Sequence, residues 1–244
     1  MSKSSAHPAN APALTYAMQR DPELAALQGA LLALAVKYRY SYNFTWYGRP
    51  IIQLPEDIVM LQELVLSVKP ELIIETGIAH GGSLVLSASM LELLGRGNVV
   101  GIDIEIRPHN AAALAAHPLS RRITTIEGSS TDPQVVERVR ALAAGKSPVM
   151  VILDSNHTHA HVLNELRLYA PLVTRDSYLV VFDTVIEQLP AGSFPDRPWD
   201  KGNNPATAVR QFLSETDRFA VDTELEARML LTAAPGGWLR CVKD

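Results

Sequence analysis

The chain has 244 residues, 47% of them apolar, with a net charge of −4. That is enough apolar material for one large domain, and the absence of any basic tract points away from a nucleic-acid partner. The only cysteine, Cys241, excludes an intramolecular disulfide and suits a reducing compartment. No stretch reaches the ~20 apolar residues of a membrane-spanning helix. Met1–Pro8 lacks the apolar core of a secretory leader. The expectation is therefore a cytoplasmic protein with no membrane span.

Residues 1–13 are small and polar, with Pro8 and Pro12, and read as a disordered tail. Asp21 before Pro22 is a helix N-cap, and Leu24, Leu27, Leu31 and Leu34 recur at helical spacing behind it. Residues 38–50 gather many of the chain's aromatic side chains. They suit either a substrate wall or lid, or an arm packed on the domain or on a second subunit. Pro55-Glu56-Asp57 opens another helix, with Ile58, Leu61, Leu64 and Val65 on one face. Residues 14–69 are thus expected to form a helical and aromatic N-terminal arm.

From Pro70 onward strands and helices alternate. Strands are expected at Leu72–Glu75, Val99–Asp103, Arg122–Ile126, Val149–Leu153 and Tyr178–Phe182. Helices are expected from Gly82 to about Leu94 and over His109–His117, Pro133–Ala144 and His159–Tyr169. Such alternation with short connections argues for an α/β fold, a doubly wound and mostly parallel sheet with helices on both faces. Residues 185–204 are irregular and rich in Pro, Gly and Asp, which marks a functional or mobile loop. Ala206–Leu213 reads as a helix, and Phe219–Val221 and Trp238–Val242 as closing strands.

Ligands of open α/β sheets bind beyond the carboxyl ends of the strands. Here those ends carry Glu75, Asp103, Glu127, Asp154 and Asp183. The first strand runs into Glu-x-Gly-x-x-x-Gly-Gly, with Gly77, Gly81 and Gly82 followed by Ser83. Glycines let a backbone approach a ligand closely, and the helix start offers N–H groups to an anion. The pattern is not the Gly-x-Gly-x-x-Gly of dinucleotide folds. An acid at Glu75 attracts the amine of S-adenosylmethionine and repels a pyrophosphate. Asp103, about 28 residues past Glu75, stands where a ribose-binding acid belongs. Ser129 and Ser130 are placed to reach the base. Asp154-Ser155-Asn156-His157 follows the fourth strand. Imidazole changes charge near neutral pH, so His157 is the candidate general base. Asp154 and Asp183 are candidates to orient it or to share a hard cation such as Mg²⁺. His159 and His161 read as structural or solvated residues.

Five segments in this order carry a family resemblance: Trp46–Asp57, Ile74–Gly77 with His80–Ser83, Gly128–Ser130, Leu153–His157 and Val181–Thr184. Together they resemble the cephalosporin hydroxylase/rhamnosyl O-methyltransferase family. The resemblance implies a seven-stranded Rossmann-like methyltransferase sheet over residues 70–244. It also implies S-adenosylmethionine as cofactor and O-methylation of sugars or natural products. Related macrolide sugar methyltransferases bind Mg²⁺ through the Asp-x-x-His aspartate and a Glu-Asp pair after the fifth strand, with the histidine as base. Carried over, the metal ligands are Asp154 and Asp183, and the base is His157. One position departs: Phe182 stands where the family has the Glu of that pair, which weakens a Mg²⁺ site. Glu187, in the following loop, is a substitute by position alone.

The expected activity is methyl transfer to a hydroxyl of a sugar, whether glycan, glycolipid or glycosylated natural product, in a chain that forms a homo-oligomer. Within the 185–204 loop, which suits a lid over the acceptor, Trp199 is placed either to stack on a sugar ring or to anchor the loop on the core. Two other readings stand beside it. The first is a cephalosporin-hydroxylase-like oxygenase, although no iron-binding His/His/carboxylate pattern is evident. The second is a non-catalytic partner protein that binds S-adenosylmethionine.

Overall fold

The computed structural model describes residues 11–244. The tail expected over 1–13 lies outside the described residues except at its end, where Ala11 already opens a helix. That helix, α1 (Ala11–Gln19), is followed by α2 (Pro22–Lys37). Asp21 caps α2 as its sequence predicts, accepting from the N–H groups of Glu23 and Leu24 at 2.9 and 3.1 Å.

The aromatic segment then forms an antiparallel hairpin of β1 (Phe44–Trp46) and β2 (Arg49–Ile51), in which Trp46 pairs with Arg49. Tyr47 and Gly48 make its two-residue turn, both at positive φ. A tyrosine is a poor signal for such a turn, which normally shows Asn or Gly there, so the hairpin is not legible in the sequence. The pair does not stand off as a lid. Phe44 and Trp46 pack on the main core, and Trp46 Nε1 donates to Ser89 Oγ at 2.9 Å.

The remaining elements are α3 (Pro55–Val68), β3 (Leu72–Thr76), α4 (Gly82–Leu93), β4 (Asn98–Asp103), α5 (Pro108–Ala115), β5 (Ile123–Glu127), α6 (Pro133–Ala143), β6 (Val149–Leu153), α7 (His159–Tyr169), β7 (Tyr178–Val181), α8 (Pro205–Glu215), β8 (Phe219–Val221), α9 (Thr223–Glu226) and β9 (Trp238–Cys241). One seven-stranded sheet runs β5-β4-β3-β6-β7-β9-β8. Five neighbouring strands are parallel, and β9 pairs antiparallel with both β7 and β8. β3 and β6 lie at its centre with every residue buried, which explains why both read as unbroken apolar runs ending in an acid.

Alternate residues of the strands feed two cores. Ile73, Val99, Met150 and Val180 meet α3, α4 and Leu114 of α5 on one face. Ile74, Val100, Val151 and Leu179 meet α6, α7 and α8 on the other. The chain leaves β3 toward β4 and β5 in one direction and later continues from β6 in the other. The rim between β3 and β6 is therefore the switch point where such sheets bind ligands.

Candidate active site

The turn from β3 into α4 leaves no slack. Gly77 sits at φ +90°, and a Cβ there would lie 2.0 Å from the carbonyl oxygen of Asp154. The ends of β3 and β6 can touch only because this residue is glycine. A Cβ on Gly82 would meet the Pro50 carbonyl at 2.2 Å, so the hairpin presses on the first turn of α4. The hairpin also grips the turn chemically. The Arg49 guanidinium donates to the carbonyl of His80, at 3.0 Å from Nε, and to Asn110 Oδ1 at 2.8 Å; Asn110 Nδ2 donates to the Ala79 carbonyl at 2.8 Å. Arg49 and Asn110 were not apparent as site residues. Both act on backbone carbonyls far along the chain, and only the fold shows that they hold the turn.

Glu75 is buried to 1% exposure. Ser83 donates to its Oε1, while Oε2 has no partner among the described residues. Burial pushes its carboxyl up to about 7, against the opposing effect of the Ser83 hydrogen bond. A buried acceptor without a donor calls for a missing one. The ammonium of an amino-acid tail supplies such a donor, so these residues fit S-adenosylmethionine.

Asp103 stands at the end of β4, as the sequence predicts, but part of its carboxylate is already engaged. Oδ2 accepts from the N–H groups of Ile78 and Ala79 at 2.7 and 3.2 Å, and Oδ1 from Glu105 at 3.3 Å. It therefore braces the glycine turn, and its remaining lone pairs are what a ribose could use. Glu127 accepts from the N–H of Ile106. Of the two serines expected near a base, Ser129 Oγ lies 3.1 Å from Thr131 Oγ1. Ser130 is buried, its Oγ faces His161 Nε2 at 3.1 Å, and its carbonyl accepts from Tyr169. The Ser130 side chain is thus engaged within the protein, with His161.

That inward contact belongs to a partly buried network. His161 Nε2 also lies 3.2 Å from Ser155 Oγ and 3.4 Å from Glu165 Oε1, and Ser155 donates to Glu165 at 2.8 Å. With the Ser155 hydrogen spent on Glu165, Ser155 can only accept from His161, so the hydrogen sits on Nε2. The network ties the loop after β5 to the loop after β6, and His161 is structural, as expected. His159 is too: it lies 2.8 Å from Thr207 Oγ1 and 3.1 Å from Gln211 Oε1, joining α7 to α8.

The structure brings together the three residues of the predicted catalytic cluster. Asp154, His157 and Asp183 offer ligand atoms within 4.8 Å of one another. His157 Nε2 lies 2.9 Å from Asp183 Oδ2. Asp183 holds a left-handed conformation, φ 57°, an unusual backbone state for which an aspartate is one of the better residues. Burial holds the Asp154 carboxyl well above the usual carboxylate range, and the nearby acids Asp183, Glu75, Asp57 and Glu165 add to the rise. Asp57 is a member of this acid group that looked like an ordinary first-turn acid of a helix. It is fully buried, accepts from Thr232 Oγ1 at 2.6 Å and Ala233 N–H at 2.9 Å, and is pushed up to about 7, chiefly by burial.

The fit to a hard cation is partial. Phe182 is buried and packs edge-on against Trp238. Glu187 does not replace the missing acid: it accepts from Gly202 N–H at 2.8 Å and Asn204 Nδ2 at 2.6 Å. Two carboxylates and an imidazole remain, fewer oxygen donors than Mg²⁺ prefers. Over this cluster lies the 185–204 loop. The Trp199 ring meets the His157 ring at 4.7 Å, nearly perpendicular, and Arg197 stacks over Trp199.

Comparison with known proteins gives the family of the chain. The rhamnosyl O-methyltransferase/CmcI family model matches residues 38–242. The chain belongs to this family. It is 33% identical over 190 residues to a rhamnosyl O-methyltransferase of Mycobacterium bovis (strain BCG / Pasteur 1173P2), covering 75% of this chain and 72% of the relative. A rhamnosyl O-methyltransferase of Mycobacterium leprae is 34% identical over 144 residues, covering 57% and 60%. Among solved structures, the CmcI D160 form with Mg and SAM superposes with a TM-score of 0.59 at 19% identity, covering 83% of this chain and 78% of that one. A putative O-methyltransferase from Klebsiella pneumoniae gives a TM-score of 0.51 at 17% identity, covering 93% and 95%. At these identities the structural likeness speaks for the fold, and the family membership carries the class. This family member is an S-adenosylmethionine-dependent O-methyltransferase.

Proposed function

We propose that the enzyme methylates a hydroxyl group of a sugar, with His157 as the general base. One observation carries the assignment of the base: His157 Nε2 is held 2.9 Å from Asp183 Oδ2 on the rim beside the cofactor turn. A neutral imidazole carries one hydrogen. With Asp183 accepting at Nε2, the lone pair lies on Nδ1. Asp183 thereby fixes the tautomer and steadies the positive charge that His157 gains.

In the reaction, the sugar oxygen attacks the methyl carbon of the sulfonium as the carbon–sulfur bond breaks. The hydroxyl proton passes to His157, and S-adenosylhomocysteine leaves with the bonding pair on sulfur. Glu75 holds the ammonium of the cofactor, and the glycine turn shapes the space for its amino-acid tail. Positioning supplies much of the acceleration, because the sulfonium is already a good electrophile. Asp154 and Asp183 are the residues that would hold Mg²⁺, which when bound would polarise the attacking oxygen. Trp199 and Arg197 form the wall over His157, where a sugar ring can stack on the indole. The names of the relatives support a rhamnosyl acceptor within the wider sugar class.

The test is the mass of the product. Incubated with S-adenosylmethionine and a panel of rhamnosides and other deoxysugar glycosides, the enzyme should add one methylene equivalent, on an oxygen. A gain of one oxygen would support the oxygenase reading instead. Binding of the cofactor without modification of any member of the panel would favour a non-catalytic role.

A further inference from the structure

Helix α2 carries a face that the rest of the described chain leaves uncovered. Leu24, Leu27, Leu31, Leu34 and Tyr38 follow one another at spacings of three and four residues along it. The last four are 61%, 52%, 51% and 70% exposed. Between Glu23 and Lys37 the helix has no charged residue at all. Its adjoining edge is occupied: Leu32 and Val36 pack on Leu54, Val185 and Leu189. Its remaining side is made of Ala26, Gly29, Ala30 and Ala33, small enough to let another backbone come close. Alternating spacings of three and four residues make the seam by which two helices interlock. A continuous apolar stripe of this kind in water marks an interaction surface.

The charges at its two ends say what covers it. The N-terminal end carries Asp21 and Glu23 against a single cation, Arg20; the C-terminal end carries Lys37 and Arg39 with no acid. An antiparallel copy of the same helix sets the acidic end of each against the basic end of the other. The match repeats at both ends because a two-fold interface uses the same patch twice. We propose that α2 is a self-association helix, pairing antiparallel with α2 of a second copy of this chain through the Leu24–Tyr38 stripe. A helix of 16 residues is about 24 Å long. A strip of that length buries less than the ~800 Å² per partner of a standard interface. The dimer should therefore depend on concentration. The proposal stands on these surface features and does not require the catalytic assignment.

Sedimentation velocity of the full chain over a range of concentrations tests it. The native chain should pass from monomer to dimer as concentration rises. Leu27→Glu with Leu34→Glu should raise the dissociation constant at least tenfold with an unchanged far-ultraviolet spectrum. Should that pair disturb folding, the surface charges keep the test open. Glu23→Lys and Lys37→Glu should each weaken pairing several-fold, and the two together should restore it, an exchange that only self-pairing in opposite directions explains. A chain that stays monomeric throughout, or a charge exchange that restores nothing, overturns the proposal. So does a monomer that instead sediments with phosphatidylcholine/phosphatidylglycerol vesicles, which would make the stripe a membrane contact.

Discussion

The cofactor turn and the wall over His157 are held in place by different means. At the turn the constraint is backbone against backbone: Gly77 on Asp154, Gly82 on Pro50, with Arg49 and Asn110 holding peptide carbonyls from outside. Over His157 the wall is a loop tied down by side chains. Glu187 near its start accepts from Gly202 and Asn204 at its end and so ties the two ends together, Asp200 accepts from Gly192 N–H at 2.9 Å, and the Trp199 ring meets the imidazole edge-on. A turn of the first kind binds one ligand and tolerates almost no substitution. A loop of the second kind can be refitted to another acceptor without disturbing the cofactor.

Substitutions can break the comparison. The largest effect is expected at Gly77→Ala, where the new methyl cannot coexist with the Asp154 carbonyl. Overpacking of this kind costs about 1–3 kcal/mol, the positive φ costs an L side chain about 1–2 kcal/mol more, and calorimetry should find S-adenosylmethionine binding lost. Glu75→Gln comes next. It removes a charged hydrogen bond worth about 1.5–3 kcal/mol and should weaken cofactor binding roughly tenfold to a hundredfold.

Glu75 also sets a pH dependence. Its carboxyl, pushed up to about 7, must be ionised to hold an ammonium. Cofactor affinity should therefore rise with pH, by up to about tenfold per unit below pH 7, and level off above it. In the Gln variant the slope should vanish. The protein alone should show the opposite trend. Asp57, Glu75 and Glu226 all have folded values raised to about 7, chiefly by burial. The stability that their protonated forms contribute is complete below the ordinary carboxylate range and is lost as pH rises through 7. Thermal unfolding without cofactor should move to lower temperature between pH 5 and pH 8, and S-adenosylmethionine should offset more of that loss at pH 8.

Trp199→Ala should act on the other side of the division. The KM for the sugar should rise several-fold, as expected for a lost stacking contact of about 0.5–1.5 kcal/mol, with cofactor affinity unchanged. Equal losses in both affinities would show that turn and wall are one unit. The smallest effect is expected from a chelator. With Phe182 in place of a third acid, the cation site has few oxygen donors, so removing divalent ions should change the rate by no more than about threefold.

Much of this architecture was legible because the central strands are simple. β3 and β6 are buried on both faces, so they appear as apolar runs, and the acids at their ends mark the rim. His157 and Asp183 could be paired from sequence because neighbouring parallel strands end at the same edge. The hairpin was hidden by a tyrosine at a positive-φ turn position. Arg49, Asn110 and Asp57 were hidden because they act on distant backbone groups, which no local pattern records. The inward contact of the Ser130 side chain was hidden for a related reason. A serine in a rim loop can face the ligand or the core, and only the packing of His161 and Tyr169 around it decides which. The uncovered stripe of α2 was visible as a helix, but which of its faces the domain would occupy was not.

The assignment of His157 as base is tested most directly by measuring binding and turnover on the same sample of His157→Ala. Calorimetry should give a dissociation constant for S-adenosylmethionine within about threefold of the native value, since the proposed mechanism has the imidazole serve the acceptor and not the cofactor. Single-turnover transfer to a rhamnoside should fall about 10²–10⁴-fold, the usual worth of a positioned general base. Transfer at the native rate by a variant that binds cofactor normally would contradict the mechanism.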